Sequence, residues 1–279
     1  MYTKGDFHSH STCSDGTLTP EELVSLAKDR NLDIMALTDH DSTNGVDRAI
    51  ATGEKLGIKV IPAFELSTVY NDETVHVLAY FNDSSYKNSE LQDFLKRLVD
   101  YRKERAKKIV ANLEKYFNIS ISYDDVYKKS KGSVARPHIA RTIIDSGYKY
   151  SYNYIFDNFL CKKSPAYVPN LKISTEEGIK KIHESNGIAV LAHPILIKKN
   201  PVEQLFNLDF DGIECRYILN TDEDTKRFLN LAKRFGKFTT AGSDFHTKDN
   251  SDTKHGIIGT KYLEGEELST FLEKLNIYK

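Results

Sequence analysis

Five short apolar or small-residue runs in this 279-residue chain end on histidine, aspartate or glutamate. Asp6-Phe7 leads to His8 and His10. Ile34-Met35-Ala36-Leu37-Thr38 leads to Asp39 and His40, and Val60-Ile61-Pro62-Ala63-Phe64 to Glu65. Ala189-Val190-Leu191-Ala192 leads to His193, and Thr239-Thr240-Ala241-Gly242-Ser243 to Asp244 and His246. His76 lies inside a further run, Thr74–Tyr80. Burying that many ionisable groups without a metal or a partner is very costly. The chain therefore needs a fold that gathers strand ends at one face, as a parallel β/α barrel does.

The rest of the pattern agrees. β-type runs at Gly5–Phe7, Asp33–Leu37, Lys59–Phe64, Thr74–Tyr80, Ile188–Ala192, Gly212–Cys215 and Lys237–Ala241 mostly alternate with helical patterns. The helical patterns are Pro20–Arg30, Thr43–Leu56, Thr175–Ser185, Thr221–Phe235 and Glu266–Leu275. Thr19-Pro20-Glu21-Glu22 has the spacing of a capping box with proline at the first helical position, and Ser174 with Glu177 repeats that spacing. Three cysteines (Cys13, Cys161 and Cys215) with no CxxC pair argue against a disulfide framework or a cysteine zinc site. Cys161 and Cys215 read as packing residues. The first ten residues have no apolar signal core, and the most apolar stretch is interrupted by His193 and Pro194. A soluble protein of the reducing cytoplasm, with no membrane partner, is the expectation.

One connection breaks the alternation. Roughly 100 residues separate the runs ending at Tyr80 and starting at Ile188, and helical spacing fills them. Leu91, Phe94, Leu95, Leu98, Ile109, Val110, Leu113 and Phe117 mark a long amphipathic helix, with shorter helices at Tyr123–Lys129, Pro137–Asp145 and Asn153–Leu160. The expected architecture is α/β, a distorted seven-stranded β/α barrel over 1–90 and 170–279. A helical insertion over 91–169 stands above one end. The whole chain is nearly neutral, 39 Lys/Arg against 40 Asp/Glu. Lys96 to Lys163, however, holds 16 basic and 7 acidic residues, a net of +9. Tyr101, Tyr116, Tyr123, Tyr127, Tyr148, Tyr150, Tyr152 and Tyr154 are interleaved with them. That mixture suits phosphate contacts and base stacking, although a solvated helix face over packed tyrosines has the same signature.

Imidazole and carboxylate together bind divalent Zn, Mn or Fe. His8-x-His10 and Asp244-x-His246 on extended chain each point two side chains the same way. The candidate ligands are His8, His10, Asp15, His40, Glu65, His76, His193, Asp244 and His246. That set exceeds the need of one ion and serves two or three if Glu65 bridges. Two ions about 3.5–4 Å apart suit hydrolysis of a phosphate ester. Neither GxSxG nor CxxxxxR is present to suggest a covalent route.

These residues resemble the polymerase-and-histidinol-phosphatase (PHP) family. The resemblance rests on His8-Ser-His-Ser-Thr-Cys-Ser-Asp15-Gly, Thr38-Asp-His-Asp41, Glu65, His193-Pro194 and Gly242-Ser-Asp-Phe-His246. It implies a distorted barrel holding a trinuclear centre. His8, His10, Glu65 and Asp244 would hold the first ion, Glu65, His76 and His193 the second, and Asp15, His40 and His246 the third. The Ser-Asp-Gly after the first motif, the insertion and Ala135-Arg136-Pro137-His138-Ile139-Ala140 resemble the subgroup that acts on nucleotides. That subgroup includes phosphatases of nucleoside 3′,5′-bisphosphates or mononucleotides and enzymes trimming short single-stranded RNA from its 5′ end. Asp15 and His193 are then catalytic as well as metal-ligating.

Arg136 and His138 flank a helix start, a natural anion site. Arg136 is read as a phosphate fork, and His138 as a phosphate ligand or proton donor. Arg216, at a strand end, is a candidate substrate contact. Asp39 is read as orienting a histidine, and Asp41 is expected to cap the next helix. His183 reads as surface and His255 as a loop residue. Two alternatives to a nucleotide phosphoesterase are a phosphatase of a small metabolite such as histidinol phosphate and a metal-stabilised module without turnover. The complete ligand set argues against the latter.

Overall fold

The computed structural model describes residues 2–130, 133–249 and 254–277. Eight strands form one sheet: β1 (Lys4–Asp6), β2 (Ile34–Leu37), β3 (Lys59–Tyr70), β4 (Glu73–Tyr80), β5 (Ile188–Leu191), β6 (Gly212–Arg216), β7 (Phe238–Ala241) and β8 (Leu263–Glu264). The order is β7-β6-β5-β4-β3-β2-β1-β8. Helices α1 (Pro20–Asp29), α2 (Val46–Leu56), α7 (Thr175–Glu184), α8 (Val202–Leu205), α9 (Asp222–Arg234) and α10 (Gly265–Lys274) accompany the strands. Between β4 and β5 come α3 (Ser89–Phe117), α4 (Tyr123–Ser130), α5 (Arg136–Asp145) and α6 (Tyr152–Asn158). The molecule is a distorted, nearly closed barrel.

Two features depart from a simple seven-stranded parallel barrel. β4 runs antiparallel to both neighbours, and β8 adds two residues antiparallel to β1. The reversal has a local cause. Asn71 (φ 45°) and Asp72 (φ 59°) join β3 to β4 in left-handed backbone, the conformation of a two-residue hairpin turn. Asn and Asp tolerate that region better than most side chains. The reversal brings the early part of β4, with His76, to the face where the other strands end. It also explains why β3 extends past Phe64, so that Glu65 lies within a strand rather than after one.

The barrel closes where the chain beyond β1 meets the chain beyond β7. Phe7 N donates to Ala241 O at 3.0 Å, Asp244 N to His8 O at 2.8 Å, and His10 N to Phe245 O at 2.8 Å. A Cβ on Gly242 would lie 2.2 Å from His8 Cβ, so only glycine admits this approach. The opposite end is plugged by α10. Phe271 packs edge-on against Phe7 (centroids 4.6 Å) and Tyr80 (5.2 Å), with Phe238 at 5.6 Å. The α3–α6 segment has a separate apolar cluster, including Ile109, Leu113, Val126, Ile139, Ile143 and Ile155.

The helix-start signals hold. Thr19 Oγ1 accepts from Glu22 N, Glu22 Oε2 accepts from Thr19 N, and Ser174 Oγ accepts from Glu177 N. Asp41 corrects the expectation: α2 begins after Gly45, and the Asp41 carboxylate accepts instead from Ser67 N and the Arg102 guanidinium. No helix among the described residues is long and apolar enough to cross a membrane.

His183, expected at the surface, is half-buried on α7, where Nε2 meets Asp211 Oδ2 at 2.8 Å. The same oxygen accepts from Ala189 N on β5. The Asp211 hydrogen bond raises the His183 pKa above 6.5, and partial burial only offsets this. A raised folded-state pKa gives stability fully present below the unfolded value and lost as pH rises through the folded one. His183→Ala should therefore lower Tm more at about pH 5.5 than at about pH 8.5. Thermal melts of both proteins check this, and equal deficits at the two pH values would contradict it.

Candidate metal centre

Every predicted ligand lies at one mouth of the barrel, and Glu65 is at the middle. Its Oε2 lies 3.3 Å from His8 Nε2, 3.2 Å from His10 Nε2 and 3.0 Å from His40 Nδ1. Its Oε1 lies 2.8 Å from His76 Nδ1 and 2.9 Å from His193 Nε2. Asp244 Oδ1 lies 3.2 Å from His8 Nε2 and 3.1 Å from His10 Nε2. Asp15 Oδ1 is 3.3 Å from His246 Nε2 and 3.9 Å from His40 Nε2.

The ligand atoms fall into overlapping groups whose members lie within 4.8 Å of one another: His8–His10–Glu65–Asp244, His10–Asp15–His40–His246, and His40–Glu65–His76. A fourth group joins Asp244 and His246 to His255. The His255 ring stacks on His246 at 3.9 Å, so this loop residue lies at the mouth.

The donor set fits divalent cations. His8 Nε2, His10 Nε2, Asp15 Oδ1, His40 Nδ1, Glu65 Oε2 and Asp244 Oδ1 are all buried, and none has a hydrogen-bond partner. Buried polar atoms are almost always satisfied, and six such atoms converging on one small space form a donor set that divalent cations would satisfy. The electrostatics agree. Burial opposes a charge on His10, yet Asp244 and Glu65 hold its pKa up to about 10. Burial likewise opposes ionisation of Glu65, but His40, His76 and His8 keep it well below the usual carboxylate range. The field at the mouth thus favours positive charge.

The backbone around the cluster is unusual. His193 (φ 26°) and Asp244 (φ 53°) sit in left-handed conformations, which cost about 1–3 kcal/mol each and persist only where surroundings impose them. The surroundings are visible. His193 N donates to Glu214 Oε2 at 2.7 Å, and Asp244 N donates to His8 O. Glu214 is fully buried, and its Oε1 meets His8 Nδ1 at 3.0 Å. One carboxylate thus orients ligands from two strands. Tyr217 OH donates to Asp244 Oδ2 at 2.9 Å, leaving Oδ1 to face the histidines. Asp39 does not touch a histidine. It accepts from Ser11 N, Ser11 Oγ and Ser14 Oγ, and so fixes the loop that carries His10 and Asp15.

Sequence reasoning missed Glu214 and Tyr217. Glu214 left a signal: it alternates with Ile213 and Cys215 on a strand, which aims a charged side chain inward. Two further residues, Arg102 and Arg105, were hidden in the long helix. Leu98, Arg102, Arg105 and Ile109 continue the buried stripe of α3 at spacings of four, three and four. A charge on such a stripe is itself a signal.

Of the two arginines, Arg102 ties the insertion to the barrel. Arg102 binds Asp41 and Ser67 Oγ. Arg105, only 7% exposed, donates to Val168 O, and Arg136 donates to Leu160 O. Neither Arg105 nor Arg136 has an ion pair among the described residues. Burial, then Arg136 and Arg102, bring the Arg105 pKa down to about 10. His138 Nδ1 accepts from Ala135 N at 3.0 Å, so its neutral ring carries the proton on Nε2. That atom is buried without a partner, with Asp15 and Ser14 beside the ring. Burial lowers the His138 pKa to about 4. Arg141 reaches Asp15 O at 3.4 Å. Arg216 is not brought to the cluster. Both arms of its guanidinium grip Glu267 of α10, at 2.9 and 3.1 Å.

Residues 6–160 match the model of the PHP domain. The chain is 31% identical to the 5′-3′ exoribonuclease Rnm of Salmonella typhimurium, over 86% of this chain and 84% of that protein. It is 33% identical to a 3′,5′-nucleoside bisphosphate phosphatase of Chromobacterium violaceum, over 86% of each. A solved structure from Bifidobacterium adolescentis, provisionally assigned as a metal-dependent phosphoesterase, superposes with a TM-score of 0.84. That structure is 28% identical, and the superposition covers 97% of this chain and 96% of that one.

Replacing Glu214 by Gln should weaken Mn²⁺ binding by about 10–100-fold, the usual effect of removing a partner that orients a ligand. Calorimetric titration of both proteins measures this, and unchanged affinity would show that Glu214 serves packing alone. Geometry and comparison together lead to one assignment: the chain belongs to the PHP family.

Proposed function

We propose that this chain is a metal-dependent phosphoesterase that hydrolyses phosphate esters of nucleotides. The observation that carries the reading is the meeting of two incomplete charge systems. One is the set of six orphaned ligand atoms at the barrel mouth. The other is a pair of guanidiniums, Arg105 buried and Arg136 half-buried, with no ion pair among the described residues. Divalent cations complete the first and a phosphate group the second. The named relatives, a nucleoside bisphosphate phosphatase and an exoribonuclease, support the nucleotide class.

His8, His10, Glu65 and Asp244 would hold one ion, Glu65, His76 and His193 a second, and Asp15, His40 and His246 a third. When bound, such ions supply a nucleophilic water at neutral pH and neutralise charge on the phosphoryl oxygens. Mn, Zn and Fe all suit this donor set.

The chain's own residues do the rest. Arg136, with Arg105 behind it, holds the substrate phosphate in a planar fork that lysine cannot reproduce. His138 presents its Nε2–H as a neutral donor to a phosphate or leaving-group oxygen. The ring stays neutral around pH 7 because its pKa is about 4. The Arg102 pair with Asp41 keeps α3 against the barrel, so that the arginines stay in range of the mouth.

The test is phosphate release with Mn²⁺ from a nucleoside 3′,5′-bisphosphate, a mononucleotide, histidinol phosphate and a short 5′-phosphorylated RNA. Nucleotide substrates should give the highest kcat/KM, and a preference for histidinol phosphate would overturn the substrate class. Asp15→Ala and His193→Ala should each lose about 100-fold or more in kcat with an unchanged far-UV spectrum. Arg136→Lys should lower kcat/KM by about tenfold or more, because it loses the fork while keeping the charge. Normal turnover in the folded Asp15 and His193 variants would sink the mechanism.

A further inference from the structure

Three exposed tyrosines stand at alternate positions on the insertion: Tyr150 (38% exposed), Tyr152 (37%) and Tyr154 (47%). Two of them belong to an ordered ladder. Tyr148 and Tyr150 lie nearly parallel, with centroids 6.4 Å apart and planes at 10°. Tyr150 and Tyr154 follow at 5.3 Å and 6°. Phe159, buried beneath, meets Tyr150 and Tyr154 edge-on, both at 77°. It fixes the planes of both rings. Tyr154 ends the ladder and is the most exposed of its three rings.

The surroundings are basic. Lys149 stands between the first two rungs, and Lys162 and Lys163 follow Leu160; all three are exposed, with no ion pair among the described residues. Asp157 is the one carboxylate on α6. The Arg136 guanidinium is held by the Leu160 carbonyl and faces Phe156, on the other side of α6 from Tyr154, so the ladder is a separate surface of the same segment.

We propose that this ladder is a docking strip for single-stranded nucleic acid, on which a base stacks against Tyr154 while the backbone lies along Lys149, Lys162 and Lys163. Flat, pre-oriented aromatic rings with free cations alongside match alternating bases and phosphates. A protein partner with an acidic surface would use the lysines but would leave the parallel ring planes without a role. A duplex hides its base faces and cannot use the ladder. The proposal rests on the nucleotide reading only for what happens at the strand's reacting end. The strip itself lies outside the residues assigned to hydrolysis.

The test uses the full chain with Mn²⁺, an RNA of about ten nucleotides, and an abasic strand of the same length. Tyr154→Ser, and separately Tyr150→Ser, should weaken RNA binding by about fivefold or more. Tyr154→Trp should retain the affinity. The abasic strand should bind more weakly and respond little to Tyr154→Ser. Turnover of a nucleoside bisphosphate should stay at the wild-type level in all three variants. The proposal is overturned by unchanged RNA binding in Tyr154→Ser, or by equal losses on the RNA and the abasic strand. Displacement of the RNA by polyglutamate as readily as by unlabelled RNA would overturn it too, as would a fall in bisphosphate turnover that matches the loss of binding. If the wild-type protein turns over no nucleotide while Tyr154 still governs RNA binding, the hydrolytic reading falls and the docking strip stands.

Discussion

The structure depends on one buried carboxylate. Glu65 lies within 3.3 Å of nitrogens from His8, His10, His40, His76 and His193, and it is 1% exposed. Those histidines come from the ends or early turns of four other strands. Bringing them to one residue requires a closed sheet and a reversed β4. It also requires a residue without a side chain at Gly242, where the chains beyond β1 and β7 touch. An error of one residue in any strand's register would swing its ligand to the outer face. The barrel is therefore specified as tightly by the needs of Glu65 as by its apolar layers.

Around this centre the protein uses one device repeatedly: a buried polar group holds the far side of a ligand so that its near side is aimed. Glu214 does so for His8 and His193, and Tyr217 for Asp244. Asp39 holds the first loop through Ser11 and Ser14. Asp6 accepts from His8 N, Ser243 N and Gly259 N, knitting three segments at the closure. Burial pushes the Asp6 carboxyl up to about 6, although the three backbone donors pull the other way. These groups explain how His193 and Asp244 keep left-handed backbones that an unsupported loop would relax.

Much of this was legible in the sequence because the ligand residues end apolar runs, and a strand end is easy to see. Helix starts at Thr19 and Ser174 were equally plain, since their capping signals are local. What escaped depends on long-range pairing. The reversal of β4 turns on Asn71 and Asp72, whose left-handed backbone is a tolerance of those residues and not a requirement. β8 is two residues long and has no periodicity to detect. Asp41 looked like a helix cap because Asp before a helical pattern usually is one; its true partner, Arg102, is 61 residues away on α3. Arg216 sits at the end of a strand as a substrate contact might, but Glu267 of α10 reaches it first.

The arginines of the insertion set a last condition on how the two halves work. Cations at the barrel mouth and guanidiniums on α3 and α5 carry the same sign, and low-dielectric surroundings magnify their repulsion. Arg102 escapes the problem by pairing with Asp41, which makes it a tether. Arg105 and Arg136 have backbone carbonyls and the faces of Tyr167 and Phe156 as partners, and none of these carries a full negative charge. In the proposed function an anion between the arginines and the mouth relieves that repulsion. A phosphate ester meets that condition because its charge is greatest at the oxygens that face both sides. On that proposal binding and positioning share one cause: the phosphate that relieves the repulsion would be the group hydrolysed, held where the two charge systems meet.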